Sequence, residues 1–165
     1  MSESNDHPNP VVEAVAQKDV SSTVAVAGHP IHAMSVHFPI ALVIATLGCD
    51  IFYWWSGDPF WVRVSLWSSG FAFGTGVAAG LVGTAELLLV HGIRNRVASW
   101  THGVAAMTLL AVAGANWGLR LADGAVLPHG LLLSVLASVL TGLAGYHGGK
   151  LVFDHGIGLM VSPKD

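Results

Sequence analysis

His29, His32 and His37 fall within nine residues of one another, in HPIHAMSVHFPIAL (29–42), immediately ahead of a long apolar run. Imidazole is neutral near physiological pH and offers a nitrogen lone pair, so such a group beside hydrocarbon is a candidate centre for a metal or cofactor. Further histidines follow at comparable places: His91 in HGIR, His102 after Thr101, His147, and His155 in HGIG. From His37 to His91 is 54 residues, and from His102 to His155 is 53. TGVAAG (75–80) is echoed by TGLAGY (141–146) at an offset of 66, close to the offsets of 65 for His37/His102 and 64 for His91/His155. The pattern predicts two tandem helix-hairpin repeats.

Two neutral imidazoles facing each other across a helical bundle are what a b-type haem takes as axial ligands, and His37 with His102 is the expected pair. His91 and His155, together with Arg94 and Arg96, are the candidates to hold the propionates, with Lys150 as a further cation. A non-haem iron, copper or zinc centre draws on the same donors, and its candidate set is His37, His102, His29, His32, Glu86 and His147. Ligating imidazoles need their other nitrogen hydrogen-bonded, by carbonyls freed near Pro30 and Pro39 or by Glu86. A carboxylate deep in a membrane is costly, so Glu86 is expected at the interface, paired with a histidine or arginine, or protonated. Asp50 needs the same answer, from Arg63 or Arg120. Each histidine taken singly also suits a plainer role, at headgroup level or capping helix carbonyls.

The elements that must position these residues follow from composition. Of 165 residues, 53% are hydrophobic and 10% charged, with a mean hydropathy of +0.62. A soluble domain carries about a quarter charged residues, so the chain is read as an integral membrane protein. About 20 apolar residues span a bilayer as a helix, and four such runs are present, at about 34–55, 60–90, 97–121 and 129–153. The expected fold is an all-α, four-helix up-down bundle over 29–160, after a polar N-terminal tail (1–28) and before a short C-terminal tail (161–165). Short connections make neighbours antiparallel and the first and third helices diagonal partners.

Pro39 predicts a helix start near His37, SGDP (56–59) reads as a turn, and Gly92 is placed as a left-handed cap. Gly70/Gly74, Gly76/Gly80, Gly114/Gly118 and Ser138/Gly142 are small-residue pairs of the kind that lets membrane helices approach. Trp54, Trp55, Trp61 and Trp117 fall near one set of helix ends and Trp100 near the other, as interfacial aromatics do. The net charge of −3, with seven scattered Lys and Arg, excludes a nucleic-acid surface. The single Cys49 builds no disulfide framework, and no CxxCH is present for covalent haem attachment. Glu3, Asp6, Glu13 and Asp19 interrupt anything resembling a signal peptide. Hydrolase and kinase motifs are absent.

HPIHAMSVHFPIAL together with GYHGGKLVFDHGIG (145–158) resembles a bacterial family of small four-helix membrane proteins of unknown function. That family carries HPxHxxxVHFPIAL near the start and GGxLVxxHGxG near the end, and the resemblance covers about 29–160. It implies a redox setting with respiratory or c-type cytochrome partners, akin to a haem b membrane cytochrome. It also implies that His29, His32, His37, His102 and His155 are the family's positions. Ala33 stands where a second proline is usual, Lys150 where an acidic residue is usual, and His147 departs from the pattern.

The expected function is a membrane-embedded haem b protein relaying electrons, as a subunit or partner of a respiratory or redox complex. The alternatives are a cofactor-free accessory subunit and a non-haem metal protein; no enzymatic reaction is assigned. The lipid bilayer is a partner in every case, a homodimer fits the glycine-rich faces, and a bacterial cytoplasmic membrane is the expected location. Arg94, Arg96 and Lys150 against Arg63 and Arg120 put both termini in the cytoplasm by the positive-inside rule.

Overall fold

The computed structural model describes residues 13, 22, 24–27, 29–124 and 126–157. Most of the polar tail, Gly158 of the HGIG motif and the C-terminal tail therefore lie outside the described residues. A two-residue antiparallel ladder, β1 (Ala25–Val26) with β2 (His29–Pro30), leads into a short helix α1 (Ile31–Ser35). Then come α2 (His37–Ser56), α3 (Pro59–Leu89), a single turn α4 (His91–Arg94), α5 (Val97–Asp123) and α6 (His129–Phe153). Four helical spans are long and apolar enough to cross a membrane: Ile31–Ser56, Pro59–Leu89, Val97–Ala122 and His129–Phe153.

Local chemistry sets the ends. Pro39 supplies no amide to the Ser35 carbonyl four residues before it, so the ladder skips a bond between α1 and α2 while the backbone stays helical through Val36, at φ −63° and ψ −21°. Gly57 and Gly124, at φ +67° and +62°, close α2 and α5 in left-handed caps whose amides return to Tyr53 and Arg120. Asp58 caps α3 by accepting the Phe60 amide at 2.8 Å, with Pro59 at the first helical position. At 31 residues α3 is about 47 Å long, so it outreaches a hydrocarbon core of about 30 Å. Gly92 is not the expected cap: α3 ends on extended Val90, and Gly92 lies inside α4.

α2 packs on α3 and α6, and α5 packs on the same two, so α2/α5 and α3/α6 are the diagonals of an up-down bundle. The residues lining its axis repeat. Val43, Thr46 and Asp50 of α2 match Ala113, Asn116 and Arg120 of α5 at an offset of 70, and all six are buried. Ser69, Ala72 and Ala79 of α3 match Ser134, Ala137 and Ala144 of α6 at an offset of 65, again all buried. Each half is a helix hairpin, and the two are related by a quasi-two-fold axis running down the bundle.

The glycine pairs do not simply bring backbones together. Gly70 receives the Trp117 indole, Gly114 the Phe73 ring, and Gly76 with Gly80 the Leu110 side chain. Gly74, Gly118 and Gly142 have open space beside them. Side chains seated in small-residue notches therefore account for part of the helix contact.

Candidate functional site

His102 meets His32, not His37. The ring centroids of His32 and His102 are 6.2 Å apart, with their planes at 74°. Helical geometry explains the correction: five residues turn about 140° around a helix, so a chain that points His32 inward points His37 outward. His37 is exposed, and its Nδ1 lies 3.2 Å from the Met34 carbonyl one turn earlier.

The two halves build the pair in the same way. His32 Nδ1 donates to the Ala79 carbonyl of α3 at 2.9 Å, and His102 Nδ1 donates to the Ala144 carbonyl of α6 at 3.0 Å. A carbonyl can only accept, so each Nδ1 carries a proton, and in the neutral form of either ring the lone pair is on Nε2. One turn further along, Gly83 and Gly148 lie directly against the imidazoles. A Cβ at Gly83 would stand 2.6 Å from His32 Cε1, and one at Gly148 would stand 3.1 Å from His102 Cε1. Ala79/Ala144 and Gly83/Gly148 are both related by the 65-residue offset, and His32/His102 by the 70-residue one. Neither Nε2 makes a hydrogen bond to a described residue.

This is the disposition of a ligating imidazole: one nitrogen held by a backbone acceptor, the other free to bind. His102 is five residues from the start of α5, which places the pair about 7–8 Å in from that helix end.

The other expected donors lie elsewhere. His29 is exposed and bonded to the Ala27 carbonyl at 2.8 Å. His91 is exposed and accepts from Arg94 at 3.0 Å, while Arg96 donates to the Gly92 carbonyl at 2.9 Å. His147 stacks edge-on to Tyr146, and His155 is half-buried just beyond the end of α6. Glu86 is buried, and its partner is neither a histidine nor an arginine but the Ser22 hydroxyl. Among the described residues no three His, Cys, Asp or Glu side chains converge as a metal site, so the wider cluster of His29, His32, Glu86 and His147 is not formed.

A second polar centre lies toward the opposite end. Asp50, with no exposed surface, takes Arg120 Nη1 on Oδ1 at 2.9 Å and Nη2 on Oδ2 at 2.6 Å. Ser134 donates to the same carboxylate at 2.6 Å, and Ser65 and Asn116 accept from Arg120 at 2.8 and 3.1 Å. Of the two arginines expected for Asp50, Arg120 is the partner and Arg63 is exposed. Ser65, Asn116 and Ser134 carry no signal of their own in the sequence; Asn116 and Ser134 are recognisable only as the repeat partners of Thr46 and Ser69, and Ser65, whose counterpart is Gly130, not even so. Just inside this network a void of about 10 Å³ is bounded by Thr46, Ser69, Asn116 and Ser134.

Fold and site together define a four-helix membrane bundle, internally duplicated, with paired imidazoles near one end and a buried ion pair toward the other. The chain belongs to the predicted membrane protein family DUF2231, whose model matches residues 28–160. No curated protein and no solved structure matches it.

Proposed function

We propose that this protein is a membrane-embedded b-type haem protein that relays electrons, with His32 and His102 as its axial ligands. The observation that carries the reading is the pair itself: two imidazoles from opposite halves of the bundle, each anchored through Nδ1 and each with Nε2 unspent. The donor count also favours haem over a bare ion. Zinc, copper and non-haem iron sites usually take three or four protein ligands, whereas a haem brings four nitrogens of its own and asks the protein for two. The pair lies where α1, five residues long, meets α2.

Arg94, Arg96, His91 and His155 lie at the same end of the bundle and would meet the propionates. In this reading the bundle sits in a bacterial cytoplasmic membrane with both termini inside, and its redox partners are cytochrome or respiratory-complex subunits. An absorption spectrum of the purified protein, oxidised and then reduced with dithionite, tests the proposal. A Soret band with the sharp α band of a reduced low-spin haem is expected, and a haem-reconstituted sample lacking both refutes it.

A further inference from the structure

Ser99 is 3% exposed, and among the described residues its Oγ is the buried side-chain polar atom without a hydrogen-bond partner. The other buried hydroxyls are satisfied: Thr46, Ser65, Ser69 and Thr141 turn back onto carbonyls of their own helices, Ser68 reaches Leu42, Ser134 reaches Asp50 and Ser22 reaches Glu86. Buried polar groups are ordinarily bonded, so an orphan asks for a missing partner.

Its position says what kind. Ser99 is the third residue of α5, a 27-residue helix whose first turn has no side-chain cap and no acidic residue. The Ser99 amide turns back onto the Arg96 carbonyl at 3.1 Å, which leaves the hydroxyl and the helix dipole to favour an anion there. Side chains of an α-helix lean toward its N-terminus, so the hydroxyl is directed from the His102 level toward the nearer membrane face. Ser99 and His102 are three apart and share one side of α5. Arg96 precedes the first turn with its Nε on the Gly92 carbonyl, and the buried carboxylate of Glu86 is engaged by Ser22.

We propose that the first turn of α5, with the Ser99 hydroxyl as donor, is an oxyanion site that holds a carboxylate of the macrocycle bound between His32 and His102. The proposal rests on the haem reading above. A ring standing between the two imidazoles with its acidic edge toward the nearer membrane face brings that edge to Ser99.

The test uses the full-length protein with Ser99→Ala and Ser99→Thr, measuring haem transfer to an excess of apomyoglobin and the propionate bending mode by resonance Raman. Ser99→Ala should keep the bis-imidazole spectrum but release haem faster, on the order of tenfold for the loss of one hydrogen bond to a charged group, with the propionate mode shifted. Ser99→Thr should restore both. Release from Ser99→Ala within about twofold of wild type, well short of that loss, with an unshifted mode, overturns the assignment. Wild-type protein that binds no haem overturns the haem reading and the carboxylate with it. Tightly bound phospholipid phosphorus lost in Ser99→Ala while haem release stays unchanged also overturns the macrocycle as source, and gives the site to a lipid headgroup.

Discussion

Replacing Arg120 by Met is the sharpest test of how the bundle is held. In the native protein Asp50 is wholly enclosed and receives two guanidinium bonds and one from Ser134. Met fills a comparable volume but donates nothing, so the carboxylate keeps a single donor in a site that water does not reach. Removing one partner of a buried pair in this way costs about 3–5 kcal/mol. Total stabilities are about 5–15 kcal/mol, so the single variant forfeits a large share of the fold. The companion Asp50→Leu leaves a guanidinium facing only hydroxyls and an amide, and should lose a similar amount. Combining the two removes both charges and needs no desolvation of either; such replacements are often neutral or stabilising. Unfolding of the full chain in mixed micelles, followed by far-ultraviolet circular dichroism against increasing dodecyl sulfate, reads all four proteins. An Arg120→Met variant within about 1 kcal/mol of wild type, or a double variant no more stable than the singles, would refute the argument that a desolvated, mutually dependent pair holds this end together.

Further outcomes follow from the histidine end and the caps. With haem bound, His32→Ala and His102→Ala should each abolish the low-spin reduced spectrum while His37→Ala leaves it intact; a spectrum that depends on His37 instead would reverse the ligand assignment. Gly83→Ala should disturb the site more than Gly148→Ala, because the added methyl meets imidazole at 2.6 Å in one case and 3.1 Å in the other. The order of the two shifts in reduction potential measures this. Gly57→Ala and Gly124→Ala have open space around them but positive φ, so each should cost about 1 kcal/mol through backbone strain alone. The same dodecyl sulfate titration detects it, and an increase in stability would contradict the left-handed caps.

Much of the architecture was legible in the residue pattern. The four apolar runs set the helices to within a few residues, and Arg120 was already one of two partners named for Asp50. The duplication was visible too, but at the wrong register for the first helix of each hairpin. α3 and α6 match at 65 residues, between the 66 of the TGVAAG echo and the 64 of His91/His155. α2 and α5 match at 70, because the first hairpin carries five more residues between its matched positions, as from Asp50 to Ser69 against Arg120 to Ser134. Applying one offset throughout pairs His102 with His37 and passes over His32. Ser99 could not be found from sequence, since a serine near a helix start is ordinarily a cap and only the geometry reveals a hydroxyl with nothing to bond.

The opposite charges of Asp50 and Arg120 occupy equivalent places in the two halves, and this bears on how the halves pair. In a symmetric dimer of identical hairpins both places would hold the same residue, setting like charges against each other on the axis. Attraction at that spot requires two halves of different sequence. The halves are not interchangeable, and neither could pair with its own duplicate without burying a charge it cannot neutralise.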